Sequence, residues 1–363
     1  MKSTPLLIVM PTLARGGAER HAALIATQLD YERWRPHVLA FNDGPLHGIL
    51  ADHGVPVVVA PVPGGRSKIP AAAAAVRRAV AEIRPAVISG HHILVETSIR
   101  LATRGQSIPN LAWKHSYGHI GHRGLRERVF EGLTGGAVTR YGAVCHTQVR
   151  YLTDQLGLSP EKISVVPNAV PVPVERPGRP PAGPPVVLMT AALRADKDHS
   201  LVLRAWPMVL AQHPEAVLQL AGGGPCLGDL QREADRLEVS GSVHFLGVRS
   251  DIDSLLARAH LLVLASYAVE CFPYAVLEAM AAGRGVVSTN VAGLPELVDD
   301  GSTGRLVPTH NSAALGAALI EGLRDAAGDH PGWGNAGWAR AREVFPLDRW
   351  TDQITDLFDE LAA

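Results

Sequence analysis

Residues 167–185 read PNAVPVPVERPGRPPAGPP, eight prolines in nineteen residues. Each proline fixes φ and lacks an amide donor, so the stretch can be neither a helix nor an inner strand. It is predicted to be an extended, semi-rigid connector. Lying near the middle of 363 residues, it leaves a stretch on either side long enough for a core of its own. We therefore expect a domain over 1–166, a linker over 167–185 and a second domain over 186–345. Residues 347–361 alternate acidic and apolar positions at helical spacing, which predicts a terminal helix over 346–363 with one apolar face to dock.

The same rhythm recurs on both sides of the linker. Short β-branched runs at 6–10, 37–41, 55–60, 86–89, 110–113, 144–146 and 163–166 alternate with Ala-rich helical patterns at 18–29, 71–83 and 94–103. After the linker, runs at 186–190, 216–221, 243–247, 261–265 and 286–289 alternate with helices again. Apolar strands alternating with helices predict α/β domains with parallel sheets covered on both faces. Ligands of such sheets sit in the loops at the carboxyl ends of the strands. A hydrophobic fraction of 47% supports two large cores and excludes a disordered chain. With 34 Lys+Arg against 35 Asp+Glu the net charge is −1, which argues against a nucleic-acid-binding protein. Three scattered cysteines, Cys145, Cys226 and Cys271, offer neither a zinc spacing nor a disulfide framework and suit a reducing, cytoplasmic setting. No signal sequence or stretch of about 18 apolar residues appears, so a soluble protein is expected.

Three loops carry candidate chemistry. The first strand runs into Thr12-Leu13-Ala14-Arg15-Gly16-Gly17 before a helix. Gly16 and Gly17 would let a ligand approach the backbone and a helix N-terminus, or simply form a tight turn. The spacing is not GxGxxG, which counts against dinucleotide binding. In the second half, Arg194 and Lys197 stand in a strand-to-helix loop, where two cations can clamp a diphosphate or be plainly solvated. Gly222-Gly223-Gly224-Pro225 is a second flat backbone. In 265–281, ASYAVECFPYAVLEAMA, Pro273 suits a first helical turn, whose amides would face a ligand. Glu270 precedes that helix and Glu278 lies in its second turn, so one polyol could bridge both carboxylates; a structural ion pair is the plainer reading.

Several of these stretches together resemble the retaining GT-B glycosyltransferases of family 4. They are Glu270-x7-Glu278 with Ala279-Met280-Ala281, Gly283-Arg284-Gly285-Val286-Val287, Gly293-Leu294-Pro295-Glu296 and Asp300-Gly301-x-x-Gly304-x-Leu306-Val307. The 16–20 loop, Pro167-Asn168 and Gly222-x-Gly224-Pro225 fit the same family. The resemblance implies two Rossmann-like parallel-sheet domains facing across a cleft and closing on the donor. The first would be the acceptor side, the second the nucleotide-sugar side, and the terminal helix would return to the first. It implies that Glu278 binds the ribose, that Glu270 approaches the transferred sugar, and that Arg194 and Lys197 neutralise the departing diphosphate. The backbone of Phe272, Pro273, Tyr274, Ala275 and Val276 would meet sugar and phosphate. Val248 and Arg249 would contact the base, Gly16 and Gly17 would close the site, and His115 would stand in the cleft as a second catalytic group beside Glu270. The sequence departs from the family at Thr190-Ala191-Ala192-Leu193, at Asp198, at Pro273 and at Ala292.

The implied reaction is transfer of a sugar from a nucleotide-diphosphate sugar to a hydroxyl acceptor with retention. Cations and helix dipoles would replace a metal, so no cofactor is expected. Asp196-x-Asp198 and Asp251-x-Asp253 have plainer readings than a metal motif. His91, His92, His115, His119 and His122 cluster in loops. With Gly118 and Gly121 interrupting a His115-x3-His119 helix face, an edge binding acceptor hydroxyls or phosphate is preferred to a metal site. Cys271 lacks a recognisable base and reads as a packed thiol. Arg123, Arg126 and Arg128 with Leu125, Val129, Phe130 and Leu133 suggest peripheral membrane contact and a lipid-linked acceptor, against a small-molecule acceptor and a plainly packed helix. A sugar-nucleotide epimerase or hydrolase is the competing enzyme class, and a non-catalytic nucleotide-sugar-binding protein the competing non-enzyme.

Overall fold

Leu6, Leu7, Ile8, Val9 and Met10 have no exposed surface, so both faces of their strand are covered. They belong to β1 (Thr4–Met10), which pairs in parallel with β2 (Trp34–Ala40) and β4 (Val87–His91). The computed structural model describes residues 3–65, 68–115, 128–129, 131–268, 270–328 and 332–363. It divides into two compact units, Met1–Asn168 with Asp348–Ala363, and Ala169–Leu347.

The first unit's sheet is completed by β3 (Val57–Val59), β5 (Asn110–Lys114), β6 (Arg140–Ala143) and β7 (Ile163–Val165). Its strand order is β3-β2-β1-β4-β5-β6-β7, every pair parallel. The Ala-rich helix Lys68–Ile83 buries Ala72, Ala75, Val76, Ala79 and Val80 in one cluster with Leu7, Val9 and Ile88. The strand expected at 144–146 lies at Arg140–Ala143 instead; Cys145 caps the helix His146–Arg150. Its sequence, Arg-Tyr-Gly-Ala, has no β-branched residue, and Gly142 is needed because a Cβ there would overlap the Trp113 ring. The terminal helix Leu347–Ala362 docks its apolar face within this unit, with Phe358 against Trp34 at 5.7 Å and the Trp34 indole donating to Asp359 at 2.9 Å.

The second unit's sheet contains β8 (Val186–Thr190), β9 (Val217–Ala221), β10 (Val243–Gly247), β11 (Leu261–Leu264), β12 (Gly285–Thr289) and β13 (Gly304–Val307). The order is β10-β9-β8-β11-β12-β13, again all parallel. β13 was not expected as a strand. Its Gly304 admits the close pairing, since a Cβ would overlap the Val286 carbonyl. The proline-rich segment is grouped with this unit from Ala169 onward. Poor in amide donors, it is tied down through its carbonyls: Pro173 accepts from Trp338 at 3.1 Å, Val174 from Arg342 at 3.0 Å and Gly178 from Arg284 at 2.9 Å.

Candidate functional site

In the second sheet β8 lies between β9 and β11, so the chain leaves β8 in one direction and returns beside it from the other. Such a switch point leaves a crevice at the carboxyl ends of the two strands, where α/β sheets bind ligands. Arg194 and Lys197 follow β8, and Glu270 follows β11. The structure brings them together. The Lys197 ammonium pairs with Glu270 Oε1, and the Ser266 hydroxyl donates to the same oxygen at 2.5 Å. The Gly293 amide fixes the Glu270 carbonyl at 2.9 Å, and the Tyr267 amide joins the β11 loop to the Asp196 carbonyl at 3.2 Å. Glu270 is buried, so its carboxylate relies on these partners in place of water.

Arg194 makes a bidentate contact with Asp196, at 2.9 and 2.6 Å. Burial works to raise the Asp196 carboxyl, but the Arg194 guanidinium and nearby Lys197 outweigh it and hold the group below its ordinary range. Asp198, at φ 44°, caps the helix His199–Gln212 by accepting from the Leu201 amide at 3.1 Å. The glycine run has a local cause. A Cβ at Gly222 would overlap the Ala191 carbonyl, and one at Gly224 the Leu193 carbonyl, so the loops after β8 and β9 lie backbone to backbone. Val248 is 76% exposed beside Gly223, and Arg249 is held by Asp251 at 2.7 and 2.8 Å.

Pro273 caps the helix Tyr274–Ala281. Phe272 packs edge-to-face on Phe345 at 5.2 Å, and both Phe272 and Tyr274 are buried, so their side chains belong to the core. The Val276 amide donates to the Pro273 carbonyl at 3.2 Å, which commits that donor to the helix. Ala275 and Glu278 are half-buried, the latter in the helix's second turn. Cys271 is a buried thiol, and none of the three cysteines forms a disulfide.

The first sheet has its own switch point, with β1 between β2 and β4. Gly16 caps the helix Gly17–Gln28, but the Glu19 carboxylate folds back where a Gly16 Cβ would stand. Burial raises the Glu19 carboxyl, with its own backbone amide opposing. An acid thus already occupies the start of this helix, a place that favours negative charge. Gly17 has open space around it. His115 follows β5 and sits against His91, the last residue of β4, with His91 Nδ1 and His115 Nε2 3.0 Å apart. Burial, and to a lesser degree His92, drives His115 down to about 3; His91 and His21 are likewise pushed well below the ordinary value, chiefly by burial. Burial thus disfavours the charged form of all three rings. His92 caps the helix Ile93–Ala102 by accepting from the Leu94 amide at 3.2 Å. His119, His122, Arg123, Leu125, Arg126 and Phe130 lie outside the described residues.

Two features escaped the sequence. His21, on the helix Gly17–Gln28, joins the histidine cluster from some seventy residues upstream of His91. A buried network also stands beneath His115: Lys114 donates to Glu96 at 2.7 Å and Glu131 at 2.8 Å, Arg100 to Glu131 at 2.9 Å, and the Tyr141 hydroxyl to Glu131 at 2.8 Å. Nothing in its spacing marks it, because the members come from four separate segments.

Residues 15–172 match Glycosyltransferase Family 4, and residues 175–334 match the glycosyl transferases group 1. A D-inositol 3-phosphate glycosyltransferase from Mycobacterium bovis is 33% identical over 223 residues, covering 57% of this chain and 45% of that protein. An exopolysaccharide phosphotransferase from Streptomyces coelicolor is 32% identical over 179 residues, 49% of this chain and 19% of that protein. The chain spans less than half the length of either relative. HepE of Anabaena, solved with UDP-glucose, matches with a TM-score of 0.85 at 23% identity, over 98% of this chain and 99% of that one. A glycosyltransferase from Rickettsia africae matches at 0.81 and 16% identity, over 99% of each. The two parallel-sheet units are those of the GT-B fold. Among the described residues no helix is long and apolar enough to cross a membrane.

Proposed function

We infer that this chain, both of whose halves belong to glycosyltransferase families, moves a sugar from a nucleotide-diphosphate sugar to a hydroxyl acceptor. The observation that carries the reading is the Lys197–Glu270–Ser266 cluster at the β8/β11 switch point, inside the half that matches the group 1 transferases. Both donors reach Glu270 Oε1, which leaves Oε2 to accept from a sugar hydroxyl. Lys197 spends one N–H on Glu270 and keeps two for phosphate oxygens. Arg194 supplies a second cation, and the helix Tyr274–Ala281 turns its N-terminal dipole toward the diphosphate. These groups act where charge develops on the leaving diphosphate. Glu278 takes the ribose, and Val248 with Arg249 the base.

Retention of configuration, independence of a divalent ion and a cytoplasmic setting belong to the same proposal and rest on the family resemblance. HepE was solved with UDP-glucose, which favours a uridine diphosphate sugar as donor. The acceptor is a polyol or glycan hydroxyl, in line with the chemistry named for the two relatives. Peripheral membrane contact fits Val129 at 53% and Leu133 at 81% exposure, beside exposed Arg128.

A thermal-shift screen of UDP-, GDP- and dTDP-sugars tests the reading. A true donor at one hundred times its Kd stabilises by about 2.7 kcal/mol. Stabilisation should be lost in Lys197→Met, and turnover should need no added magnesium or manganese. Stabilisation by none of the donors would refute the reading. Rapid hydrolysis or epimerisation of the donor alone would move the protein to the competing enzyme class.

A further inference from the structure

We infer that His21, His91 and His115 form a binding site for one divalent transition-metal ion of the zinc class. One ring nitrogen from each lies within 4.8 Å of the other two. The three come from different elements: the helix Gly17–Gln28, the end of β4 and the residue after β5. They meet beside the first sheet's switch point. His91 Nδ1 and His115 Nε2 are 3.0 Å apart, close to the roughly 3.3 Å that tetrahedral geometry with bonds of about 2.0–2.1 Å sets between two ligands.

Two further observations point to an ion. First, His21 has no exposed surface, and neither of its ring nitrogens has a hydrogen-bond partner among the described residues. A buried polar group left so is destabilising, and a bound ion would satisfy one of the two nitrogens. Second, His91 carries an outer partner: its Nε2 lies 3.2 Å from the Ser89 hydroxyl, while its Nδ1 is hydrogen-bonded to His115 Nε2, a contact that the ion would replace. Trp113 and Trp350 wall the site, their ring centroids 4.3 and 5.6 Å from that of His21.

Three imidazoles without a carboxylate select zinc, cobalt, nickel or copper over magnesium or calcium. The fourth position would be left for water or a ligand hydroxyl. The ion would pin the start of the first helix to the ends of β4 and β5 and fix the His115 ring, whose other nitrogen stays available for hydrogen bonding. This site is independent of the donor chemistry proposed above and stands or falls without it.

Metal-stripped, untagged full-length protein titrated with Co²⁺ tests the inference. One equivalent should give the intense visible ligand-field bands of a tetrahedral site, and Zn²⁺ should displace them and raise the thermal midpoint where Mg²⁺ does not. His21→Phe keeps a packed aromatic ring and removes one ligand. It should lower Co²⁺ affinity by more than the roughly 10–100-fold that loss of an outer partner costs. Should that variant fail to fold, the Zn²⁺ and Mg²⁺ comparison on the wild type decides. Absent cobalt bands in the folded wild type, bands unchanged in His21→Phe, or equal response to Zn²⁺ and Mg²⁺ would overturn the site.

Discussion

Glu131→Gln should destabilise the first unit far more than a surface substitution does. The Glu131 carboxylate accepts from Lys114 at 2.8 Å, from Arg100 at 2.9 and 3.1 Å, and from the Tyr141 hydroxyl at 2.8 Å. With Glu96 it balances two buried cations. A glutamine removes one negative charge and turns an amide donor toward groups that are themselves donors. Breaking a buried ionic set in this way costs about 3–5 kcal/mol, a large share of the roughly 5–15 kcal/mol that holds a domain together. Hydrogen exchange is the assay, with β8 of the second unit as internal reference. Amides of β5 should exchange faster by roughly two to three and a half orders of magnitude, at about 1.4 kcal/mol per decade. Lys114→Met combined with Glu131→Gln should recover much of the loss, because Arg100 and Glu96 remain a balanced pair. The pH dependence has a definite sign. Burial works to raise Glu131, but Lys114 and Arg100 outweigh it and its carboxyl lies below the ordinary range. Its contribution is therefore full above the unfolded value of about 4.3 and lost as pH falls through the lower folded one. Burial opposes Lys114 while Glu96 and Glu131 raise it, so its contribution is full below about 10.4 and lost as pH rises through the folded value. Unchanged β5 protection in the glutamine variant would refute the reasoning.

Glu278→Ala should weaken nucleotide-sugar binding by about 1.5–3 kcal/mol, the range for hydrogen bonds to a charged group; unchanged calorimetric affinity in the folded variant would remove Glu278 from the ribose site. Gly222→Ala should destabilise the second unit by about 1–3 kcal/mol, because its Cβ would overlap the Ala191 carbonyl. A denaturation midpoint equal to wild type would show that the two loops separate freely.

The alternation of apolar strands and helices was legible because parallel strands buried on both faces leave continuous runs such as Leu6–Met10. Legibility failed where packing replaced composition. β6 has no β-branched residue and is held by the fit of Gly142 under Trp113, so composition points to 144–146 in its place. β13 hid inside a glycine-rich motif because its Gly304 serves strand pairing. In the candidate site, the loops holding Arg194, Lys197 and Glu270 could be read from sequence, but Ser266 and Asp196 as their partners could not. The glycines of 222–224 looked like ligand-facing backbone, and the structure gives two of them a packing role. His21 was invisible for a topological reason: only the β1–β4–β5 order carries a residue of the first helix to the ends of strands far along the chain.

Under the proposed donor site, the two cations near the β8/β11 switch point have different work, and their partners decide which does what. Arg194 is 56% exposed and its partner Asp196 is two residues away, an arrangement typical of pairs that contribute about 0–1 kcal/mol. It can exchange Asp196 for a phosphate at little cost. Lys197 is 16% exposed and Glu270 7%, in the range where separating partners leaves an uncompensated charge and costs about 3–5 kcal/mol. Lys197 must therefore stay on Glu270 while it reaches phosphate with its remaining N–H groups. Its first task is to hold Oε1 fixed, so that Oε2 can serve the sugar. Arg194 is then the group that gains a charged partner when the donor arrives, and Lys197 the group that couples phosphate to sugar recognition.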